Sequence, residues 1–447
     1  KRWTRAAGHP KDDVTCGPDF TCPYHLDVTG GWYDAGDYGK YVVNGGISVW
    51  TLMNLYERNQ LLGKGQGLLG DDSKLIPETG NKVADLLDEA RWEMEFLLRM
   101  QVPEGQPKAG MVHHKMHDTA WTALGLAPGD SKTARTLRPV STAATLNLAA
   151  TAAQAARIWK DLDPKFSAKC LAAAQRAWAA AKANPAVFAP ASDSTGGGPY
   201  DDDKLKDEFY WAAAELFLTT GDATFKSELD GYPALDLGAE GTCPTSMTWQ
   251  VVDNLGRISL ATVGGKLPAT ERDALRSQLV KLAERYLEVE SKQGYRLPFA
   301  ADPKDGFPWG SNSSVLNNMM ILALAGDFTK DIKFANAVER GMDYILGRNA
   351  MGQSYVTGFG ARPLQHPHHR FFAHQANANF PEPPPGFVSG GPNSGLQDPY
   401  VKAAGLKGCA PEKCFLDNIE AWSANEVTIN WNAPLTWTAS WLHEKGK

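Results

Sequence analysis

The sequence predicts an all-α protein whose helices form a closed double ring, and three observations support this prediction. First, apolar residues recur with a helical period of about 3.6 through most of the chain, whereas the alternating patterns of strands are scarce. Second, long loops containing glycine and proline join the helices, and no short repeat indicates a solenoid. Third, no linker rich in Pro, Ser or Gly divides the 447 residues. We therefore expect one domain over residues 1–447, although that length exceeds the usual size of a single core.

The individual helices are predicted from their apolar faces. Residues 83–100 carry a stripe of Val, Leu, Ala and Met side chains, and residues 275–286 repeat it after a capping-box-like Thr270 and Asp273. A third stripe in residues 334–345 is followed by Gly, which is typical of a helix C-cap. Further helices are expected at about 44–58, 141–159, 167–183, 207–220, 246–258, 313–325 and 426–443.

Composition excludes several classes of protein. Lys and Arg total 45 against 51 Asp and Glu, a net charge of −6, so the chain lacks the basic excess of a nucleic-acid-binding protein. No run of about 18 apolar residues predicts a membrane-spanning helix. The 14 Trp and 13 Tyr residues suit sugar rings as well as hydrophobic cores. The chain starts without an apolar leader, which is typical of a cytosolic or an already processed protein.

The first candidate site is the run from Gly30 to Tyr38, in which Asp34 and Asp37 are separated by Ala-Gly. Glycine permits a tight turn, so both carboxylates can face one cleft, where burial and the neighbouring charge tune each acid. Taken alone, two carboxylates three residues apart are a weak signal, since they also occur in solvated turns and as calcium ligands.

The second candidate site lies in residues 415–433, where Glu426 stands among aromatic and Asn residues. Desolvation there raises the pKa of a carboxylic acid, and the neighbours hold its rotamer, as a general acid requires. The alternative is a glutamate that caps the start of a helix.

The third candidate site lies in the longest irregular stretch, residues 348–420, where several His residues precede Arg370. Their spacing differs from the helical His-x-x-x-His of zinc sites, and no His-Glu-x-x-His occurs. His and Arg side chains on a rigid loop can instead donate hydrogen bonds to sugar hydroxyls and orient carboxylates. His113 and His117 could share a helix face, but without an acidic third ligand metal binding is disfavoured there.

Together, residues 30–41, 354–370 and 415–433 resemble the motifs of glycoside hydrolase family nine, the inverting cellulases. They occur in the family's order and bracket nearly the whole chain. The resemblance implies an (α/α)6 barrel, a double ring of about twelve helices, with long active-site loops and a cleft across one end. Many relatives carry an immunoglobulin-like module before the barrel, and we expect that module to be absent from this chain, separate or cleaved away. A separate immunoglobulin-like or carbohydrate-binding module is therefore an expected partner.

The resemblance implies a role for each matching residue. Asp37 matches the general base that activates water, and Asp34 the partner carboxylate that helps to hold this water. Glu426 matches the general acid that protonates the leaving glycosidic oxygen. His368 and Arg370 match residues that contact the sugar and the catalytic carboxylates. Further sugar-binding positions implied by the resemblance are Tyr33, His114, Trp309 and Trp431. The alternative for each of these further positions is an ordinary residue of the hydrophobic core. This alternative is weakest for Trp309, which lies in a Gly/Pro/Ser loop.

Three acidic residues follow a Gly-rich turn at the start of another predicted helix, and their carboxylates could serve as hard oxygen ligands: Asp202, Asp207 and Glu208. Carboxylates suit Ca²⁺, and the spacing resembles a calcium loop of many family members. A solvated acidic turn that caps the helix dipole is the alternative. We expect a structural calcium ion and no organic cofactor.

Two cysteine pairs indicate an oxidising compartment. Cys16 with Cys22, and Cys409 with Cys414, lie close together in loops, and local disulfides are the favoured interpretation. A Zn²⁺ site of Cys16, Cys22 and His25 is the alternative, because some relatives bind zinc in this region. The cysteine pairs and a polymeric substrate that cannot enter a cell predict a secreted protein.

The sequence therefore predicts a monomeric inverting hydrolase that cleaves β-1,4-glucosidic bonds of cellulose or a related β-glucan, with an endo-β-1,4-glucanase favoured. One alternative is an exo-acting member of the same family: a cellobiohydrolase, or an exo-β-glucosidase or glucosaminidase that acts on oligosaccharides. Another is a non-catalytic glucan-binding barrel, which the presence of all three candidate acids disfavours. The expected ligand is a β-glucan polysaccharide or oligosaccharide, and neither nucleic acid nor a membrane is an expected partner.

Overall fold

The computed structural model describes residues 2–17, 19–63, 65–74, 76–239 and 242–446. Within these ranges the chain is mainly helical, as the sequence predicts. The helices are α1 (Val42–Leu61), α2 (Asp85–Arg99), α3 (Thr142–Ile158), α4 (Pro164–Ala183), α5 (Lys206–Thr220), α6 (Ala223–Asp230), α7 (Asp253–Thr262), α8 (Ala269–Ser291), α9 (Ser311–Thr329), α10 (Ile332–Ile345), α11 (Pro399–Ala403), α12 (Trp422–Asn425) and α13 (Ile429–Lys445).

The longer helices form two concentric rings. The inner ring contains α1, α3, α5, α7, α9 and α13, and α13 closes it by packing on both α9 and α1. Helices α1, α3, α5, α7 and α9 are buried along most of their length, as expected of helices that are surrounded by others. The outer helices α2, α4, α6, α8 and α10 pack on the inner ones and bury one face each. This arrangement is the predicted (α/α)6 barrel, which the structure confirms.

In the part of the chain that the structure describes, seven short antiparallel strands form three small sheets beside the ring. The central strand β5 pairs with β3 on one side and with β6 on the other. This pairing sets the register of the segment that leads into α1, since Lys40 lies opposite Met116. The strands are β1 (Asp13–Val14), β2 (Leu26–Asp27), β3 (Lys40–Tyr41), β4 (Val112–His113), β5 (Lys115–Asp118), β6 (Arg135–Leu137) and β7 (Val140–Ser141).

Two helix boundaries differ from the predicted ones. Helix α7 begins at Asp253 instead of residue 246, because residue 252 is held outside the helix by a hydrogen bond of 3.0 Å from Val252 N to Asp207 Oδ2. Helix α13 begins at Ile429 instead of residue 426, since Glu426 is extended, with ψ of 152°, and pairs with the segment containing His368. The second difference places the candidate acid on a rigid extended segment rather than on a helix.

The interior of the inner ring contains a buried charge network. Arg157 of α3 donates to Glu57 Oε1 at 2.6 Å and forms an ion pair of 2.6 Å with Glu215 Oε2. The other oxygen of Glu215 accepts hydrogen bonds from Trp50 Nε1 and Ser259 Oγ. These contacts tie α1, α3, α5 and α7 together by directional interactions as well as by apolar packing. None of the described helices is both long and apolar enough to cross a membrane.

Candidate active site

A cavity of about 570 Å³ opens where the inner helices begin. Its lining segments lead directly into α1, α5, α9 and α13, so the positive ends of four helix dipoles lie near it. That placement favours negative charge in the cavity. The side chains that line it include Asp37, Tyr41, Trp121, Tyr200, Trp309, His368, Arg370, Trp422 and Glu426.

Asp34 and Asp37 lie on one turn, as the sequence predicts, but only Asp37 lines the cavity. Asp34 is 1% exposed and accepts hydrogen bonds from Asn44 Nδ2 at 2.8 Å and Tyr200 Oη at 2.9 Å. Asp37 Oδ2 accepts hydrogen bonds from Tyr41 Oη at 2.8 Å and from Gly39 N at 3.1 Å. Asp34 therefore supports the turn from behind, while Asp37 faces the ligand space.

Glu426 reaches the same cavity from the other end of the sequence. The segment around it pairs with His368, and Gly36 N donates a hydrogen bond of 3.2 Å to Glu426 Oε1. A side chain at position 36 would block this approach, because its Cβ would lie 2.7 Å from His368 Cδ2 and 3.2 Å from Glu426 Oε1. The glycine between the two aspartates is thus required for the acid and the aspartate turn to meet.

Burial and neighbouring carboxylates raise the proton affinity of Glu426 and Asp34. Burial, followed by the charges of Asp37 and Asp34, raises the pKa of Glu426 to about 8. Burial, followed by the charge of Asp37, raises the pKa of Asp34 to about 7. Glu426 therefore holds a proton at neutral pH, as a general acid must.

His368 is neutral and its orientation is fixed. Burial lowers its pKa to about 4, and Nδ1 lies 2.6 Å from the carbonyl oxygen of Ile419. Because a carbonyl oxygen only accepts, Nδ1 carries the hydrogen and Nε2 is an acceptor. Arg370 donates from Nε to the Thr122 carbonyl oxygen at 3.0 Å, and its guanidinium lies 5.9 Å from the Trp121 ring.

Aromatic side chains form one wall of the cavity. The Trp309 ring is 40% exposed and lies 5.1 Å from the Trp422 ring, at an interplanar angle of 39°. Trp422 precedes Glu426 by four residues, so this wall adjoins the acid. Flat apolar surfaces of this kind suit the faces of sugar rings.

Three residues that the sequence predicts to bind sugar lie outside the cavity. Trp431 is 8% exposed and packs in the core, where a Cβ on Gly310 would lie 2.9 Å from its ring. Tyr33 lines a separate cavity of about 650 Å³ and contacts His9 Nδ1 at 2.6 Å. That cavity is larger, but none of the three candidate acids lines it. His114 is buried beneath the loop before α5, where Nε2 contacts the carbonyl oxygen of Tyr200 at 3.0 Å.

Four aromatic residues of the cavity were not predicted as site residues: Tyr41, Trp121, Tyr200 and Trp422. Two of them had a usable signal, since Tyr41 closes the aspartate motif and Trp422 precedes Glu426 within its motif. Tyr200 lies in the segment predicted to hold calcium, and its φ of +49° places it in the left-handed region. Such backbone strain away from glycine is common at functional sites, but sequence does not reveal it.

Asp202, Asp207 and Glu208 meet near the start of α5, and all three are buried. Both oxygens of Glu208 and Oδ2 of Asp202 have no hydrogen-bond partner among the described residues. Burial, followed by the charges of Asp207 and Asp202, raises the pKa of Glu208 well above its usual value. A cation would relieve this excess of negative charge. No group of three or more His, Cys, Asp or Glu within the described ranges has the arrangement of a preformed metal site.

The cysteine pairs form the favoured disulfides. Cys16 is bonded to Cys22, and Cys409 to Cys414. The alternative zinc site is wrong for this structure, because both of its thiolates are used in a disulfide. The third proposed ligand, His25, instead lies 3.9 Å from Asp13 Oδ1 at the surface.

A family model described as glycosyl hydrolase family 9 matches residues 1–439. The chain is 49% identical to a cellulose 1,4-beta-cellobiosidase of Acetivibrio thermocellus, over 99% of this chain and 53% of that protein. It is 48% identical to endoglucanase C of Cellulomonas fimi, over 100% of this chain and 41% of that protein. The chain thus spans about half the length of the curated relatives that it matches.

The fold is similar to that of solved structures. A Bacteroides ovatus GH9 structure superposes with a TM-score of 0.84 at 32% identity, covering 100% of this chain and 78% of that one.

Proposed function

The chain belongs to glycosyl hydrolase family 9, and from this we infer that it hydrolyses β-1,4-glucosidic bonds of cellulose or a related β-glucan by a single displacement. The observation that carries the proposal is the convergence of Asp37 and Glu426 on one cavity with a tryptophan wall. Relatives named as a cellobiosidase and an endoglucanase support the substrate class.

The proposed reaction uses the different states of the two carboxyl groups. Glu426, protonated at neutral pH, donates its proton to the glycosidic oxygen as the bond to the leaving sugar breaks. Asp37 accepts a proton from water, whose oxygen forms the new bond to the anomeric carbon on the opposite face. Inverting glycosidases hold their acid and base about 6.5–9.5 Å apart so that this water fits between them.

Other cavity residues bind the sugar in this proposal. The acceptor Nε2 of His368 suits a sugar hydroxyl, and Arg370 supplies positive charge beside the carboxylates. Trp309 and Trp422 provide a stacking surface next to the acid. Because Glu426 protonates the leaving oxygen, this surface is placed to bind the leaving sugar.

Endo action is the favoured mode, and exo action is a second candidate. Relatives named as endoglucanases support the first, while the relative at 49% identity is named a cellobiosidase, which supports the second. Loops in residues 371–412 are long enough to block one end of the cleft. Viscosity measurements on carboxymethyl cellulose separate the two modes, because endo cleavage lowers viscosity much faster than it releases reducing ends.

The test of hydrolysis is the release of reducing ends from soluble mixed-linkage β-glucan. Glu426→Gln and Asp37→Asn should each lower kcat by about 10²–10⁴-fold while sugar binding persists. Glu420→Gln is the matched control, because Glu420 is exposed and lies in the same segment. Near-normal turnover by Glu426→Gln would refute the assignment of the acid, and an inactive wild-type protein that still binds glucan would favour the non-catalytic alternative.

We further propose that Asp202, Asp207 and Glu208 hold a structural calcium ion. The unpartnered oxygens of the buried Glu208 and Asp202 support this proposal. Bound calcium would stabilise the fold by mass action, so adding Ca²⁺ to chelator-treated protein should raise the melting temperature. Asp203→Asn, at an exposed neighbouring carboxylate, is the control. A melting temperature that is unchanged by Ca²⁺ would contradict the site.

Secretion is also proposed, because two disulfides and a polymeric substrate both point to the cell exterior. Glucanase activity in culture medium rather than in the cytosolic fraction would support it, and the reverse distribution would contradict it.

A further inference from the structure

The proposed hydrolysis does not use Tyr41, which is 2% exposed and lies against the base carboxylate. Its hydroxyl and the Gly39 amide both donate to Asp37 Oδ2, at 2.8 and 3.1 Å. No described residue donates to the other carboxylate oxygen, Oδ1. Two donors therefore hold one oxygen of the base, and the second oxygen remains available to a water molecule in the cavity.

A tyrosine hydroxyl has one hydrogen, and the surroundings of Tyr41 determine where it points. Gly198 N donates a hydrogen bond of 3.0 Å to the Tyr41 hydroxyl oxygen, so this contact uses a lone pair of the phenol. The hydrogen is left for Asp37 Oδ2, which as a carboxylate oxygen can only accept. Burial, followed by the charge of Asp37, raises the pKa of Tyr41 well above its usual value, so the phenol keeps its hydrogen.

Gly198 is itself held by a buried cation. Lys115 of β5 is 1% exposed, and its Nζ donates to the carbonyl oxygens of Gly198 at 2.5 Å and Asp193 at 2.6 Å. The loop packs tightly on the phenol, since a Cβ on Gly197 would lie 2.6 Å from the Tyr41 hydroxyl oxygen. The contacts thus run without a break from Lys115 through Gly198 and Tyr41 to the base.

We propose that Tyr41 is a positioning residue for the base, fixing Asp37 Oδ2 so that Oδ1 is presented to the attacking water, and that Lys115 supports it through Gly198. The inference rests on the proposed hydrolase function and adds a residue that acts through the base. A hydrogen bond to an ionised acceptor is strong and directional, which suits this role.

Several charged or titratable groups also act on this part of the cavity. The acids and phenols that face Asp37 and Tyr41 are Asp34, Asp118, Tyr200 and Glu426. The cations and the histidine that face the same groups are Lys115, His368 and Arg370. Tyr41→Phe keeps all of these groups and removes only the hydroxyl, which donates to Asp37 and accepts from Gly198 N.

Tyr41→Phe tests the proposal with cellohexaose as substrate. We expect kcat to fall by about ten-fold or more with little change in KM, because the lost contact orders the base and not the sugar. A merely structural role would lower the melting temperature and leave kcat of the folded protein unchanged.

Tyr38→Phe is the matched control, because Tyr38 is equally buried and its hydroxyl donates to the Leu126 carbonyl oxygen. Its kcat and KM should stay those of the wild type. Lys115→Met should lower kcat in the wild-type background but have little further effect in Tyr41→Phe, since both act through one contact chain. It also provides the test if Tyr41→Phe does not fold.

Wild-type kcat in Tyr41→Phe would overturn the inference, and so would fully additive effects of the two substitutions. Failure of the proposed function is distinguishable from these results, because the wild-type protein itself would then release no reducing ends from any β-glucan.

Discussion

Glu426 is the residue whose protonation controls the proposed reaction, because burial and two neighbouring carboxylates raise its pKa to about 8. The activity should therefore be present below this pH and lost as the pH rises through it. We expect kcat/KM on cellohexaose to fall with a midpoint near pH 8 on the alkaline side. Steady-state kinetics from pH 4 to about 10 measure this limb.

A substrate with a good leaving group provides the control for this alkaline decrease in kcat/KM. A dinitrophenyl cellobioside needs no proton on its leaving oxygen, so Glu426→Gln should retain much of its activity on this substrate. Its alkaline limb should also disappear. An alkaline limb that persists in Glu426→Gln would assign the titration to another group.

The raised pKa of Glu426 also predicts a pH dependence of stability. The folded pKa of about 8 exceeds the unfolded value. The contribution of Glu426 to the free energy of unfolding is therefore fully present below the unfolded pKa and is lost as the pH rises through 8. Glu426→Gln removes this loss, so its free energy of unfolding should fall by about 4 kcal/mol less than that of the wild type between pH 5 and pH 9.

Urea denaturation at pH 5 and pH 9 measures this difference. Glu420→Gln makes the same change of charge at an exposed position and should leave the pH dependence unaltered. Equal losses of stability between the two pH values in wild type and Glu426→Gln would contradict the prediction.

At the residue scale, the motifs predicted that Asp37 and Glu426 meet at one site, and both line the cavity. The motifs did not indicate that Tyr33 and Trp431 lie outside this cavity, because a motif shows which residues are close in sequence but not towards which side of a turn or helix each one points. Tyr33 points to the neighbouring cavity, and Trp431 points into the core.

At the element scale, the short helices before Glu426 depend on one buried carboxylate. Asp398 is fully buried, and its Oδ1 caps α11 by accepting from Val401 N at 2.7 Å. Its Oδ2 accepts from the amide, at 3.0 Å, and from the hydroxyl of Ser423 on α12. Asp398→Ala should therefore lower the free energy of unfolding by about 2–4 kcal/mol, since it leaves buried donors unpaired.

Asp331→Ala is the matched control for that substitution. Asp331 caps α10 by accepting a hydrogen bond of 3.0 Å from Lys333 N, but it is exposed, so its loss should lower the free energy of unfolding much less than the loss of Asp398 does. Urea denaturation of both variants gives the comparison. Equal losses would show that α11 and α12 do not depend on the buried carboxylate.

The long helices were predictable because burial of one face leaves a periodic apolar pattern. The stripe in residues 83–100 became α2, and that in residues 334–345 became α10. The short elements in residues 348–420 were not predictable. They are stabilised by single side chains that accept several backbone hydrogen bonds, and not by a periodic apolar face. Asp417, for example, accepts hydrogen bonds from the backbone amides of Gln365 and His366 at 2.9 and 2.8 Å.

At the scale of the whole molecule, the buried charges inside the inner ring should contribute to stability only as a complete set. Arg157 neutralises Glu57 and Glu215, and all three are largely buried. Arg157→Met leaves two buried carboxylates without a cation, so we expect a loss of about 3–5 kcal/mol in the free energy of unfolding.

Lys169→Met is the control, since the Lys169 pair with Glu95 is exposed and should contribute less than about 1 kcal/mol. Chemical denaturation followed by circular dichroism measures both variants. If Arg157→Met lowered the free energy of unfolding by less than Lys169→Met does, the inner ring would not rely on this network.

The closed double ring was predictable from helix number, loop character and the absence of a dividing linker. The charge network was not, because Glu57, Arg157 and Glu215 are far apart in sequence and stand among ordinary helical residues. The side-by-side packing of α1, α3 and α5 brings them together.

The most direct test of single displacement by Asp37 and Glu426 is the anomeric form of the first product. Proton NMR of fresh cellohexaose digests, recorded before mutarotation, should show the α-anomer, because water attacks opposite the leaving group. Initial accumulation of the β-anomer would show retention and contradict the assignment of Asp37 as a base that activates water.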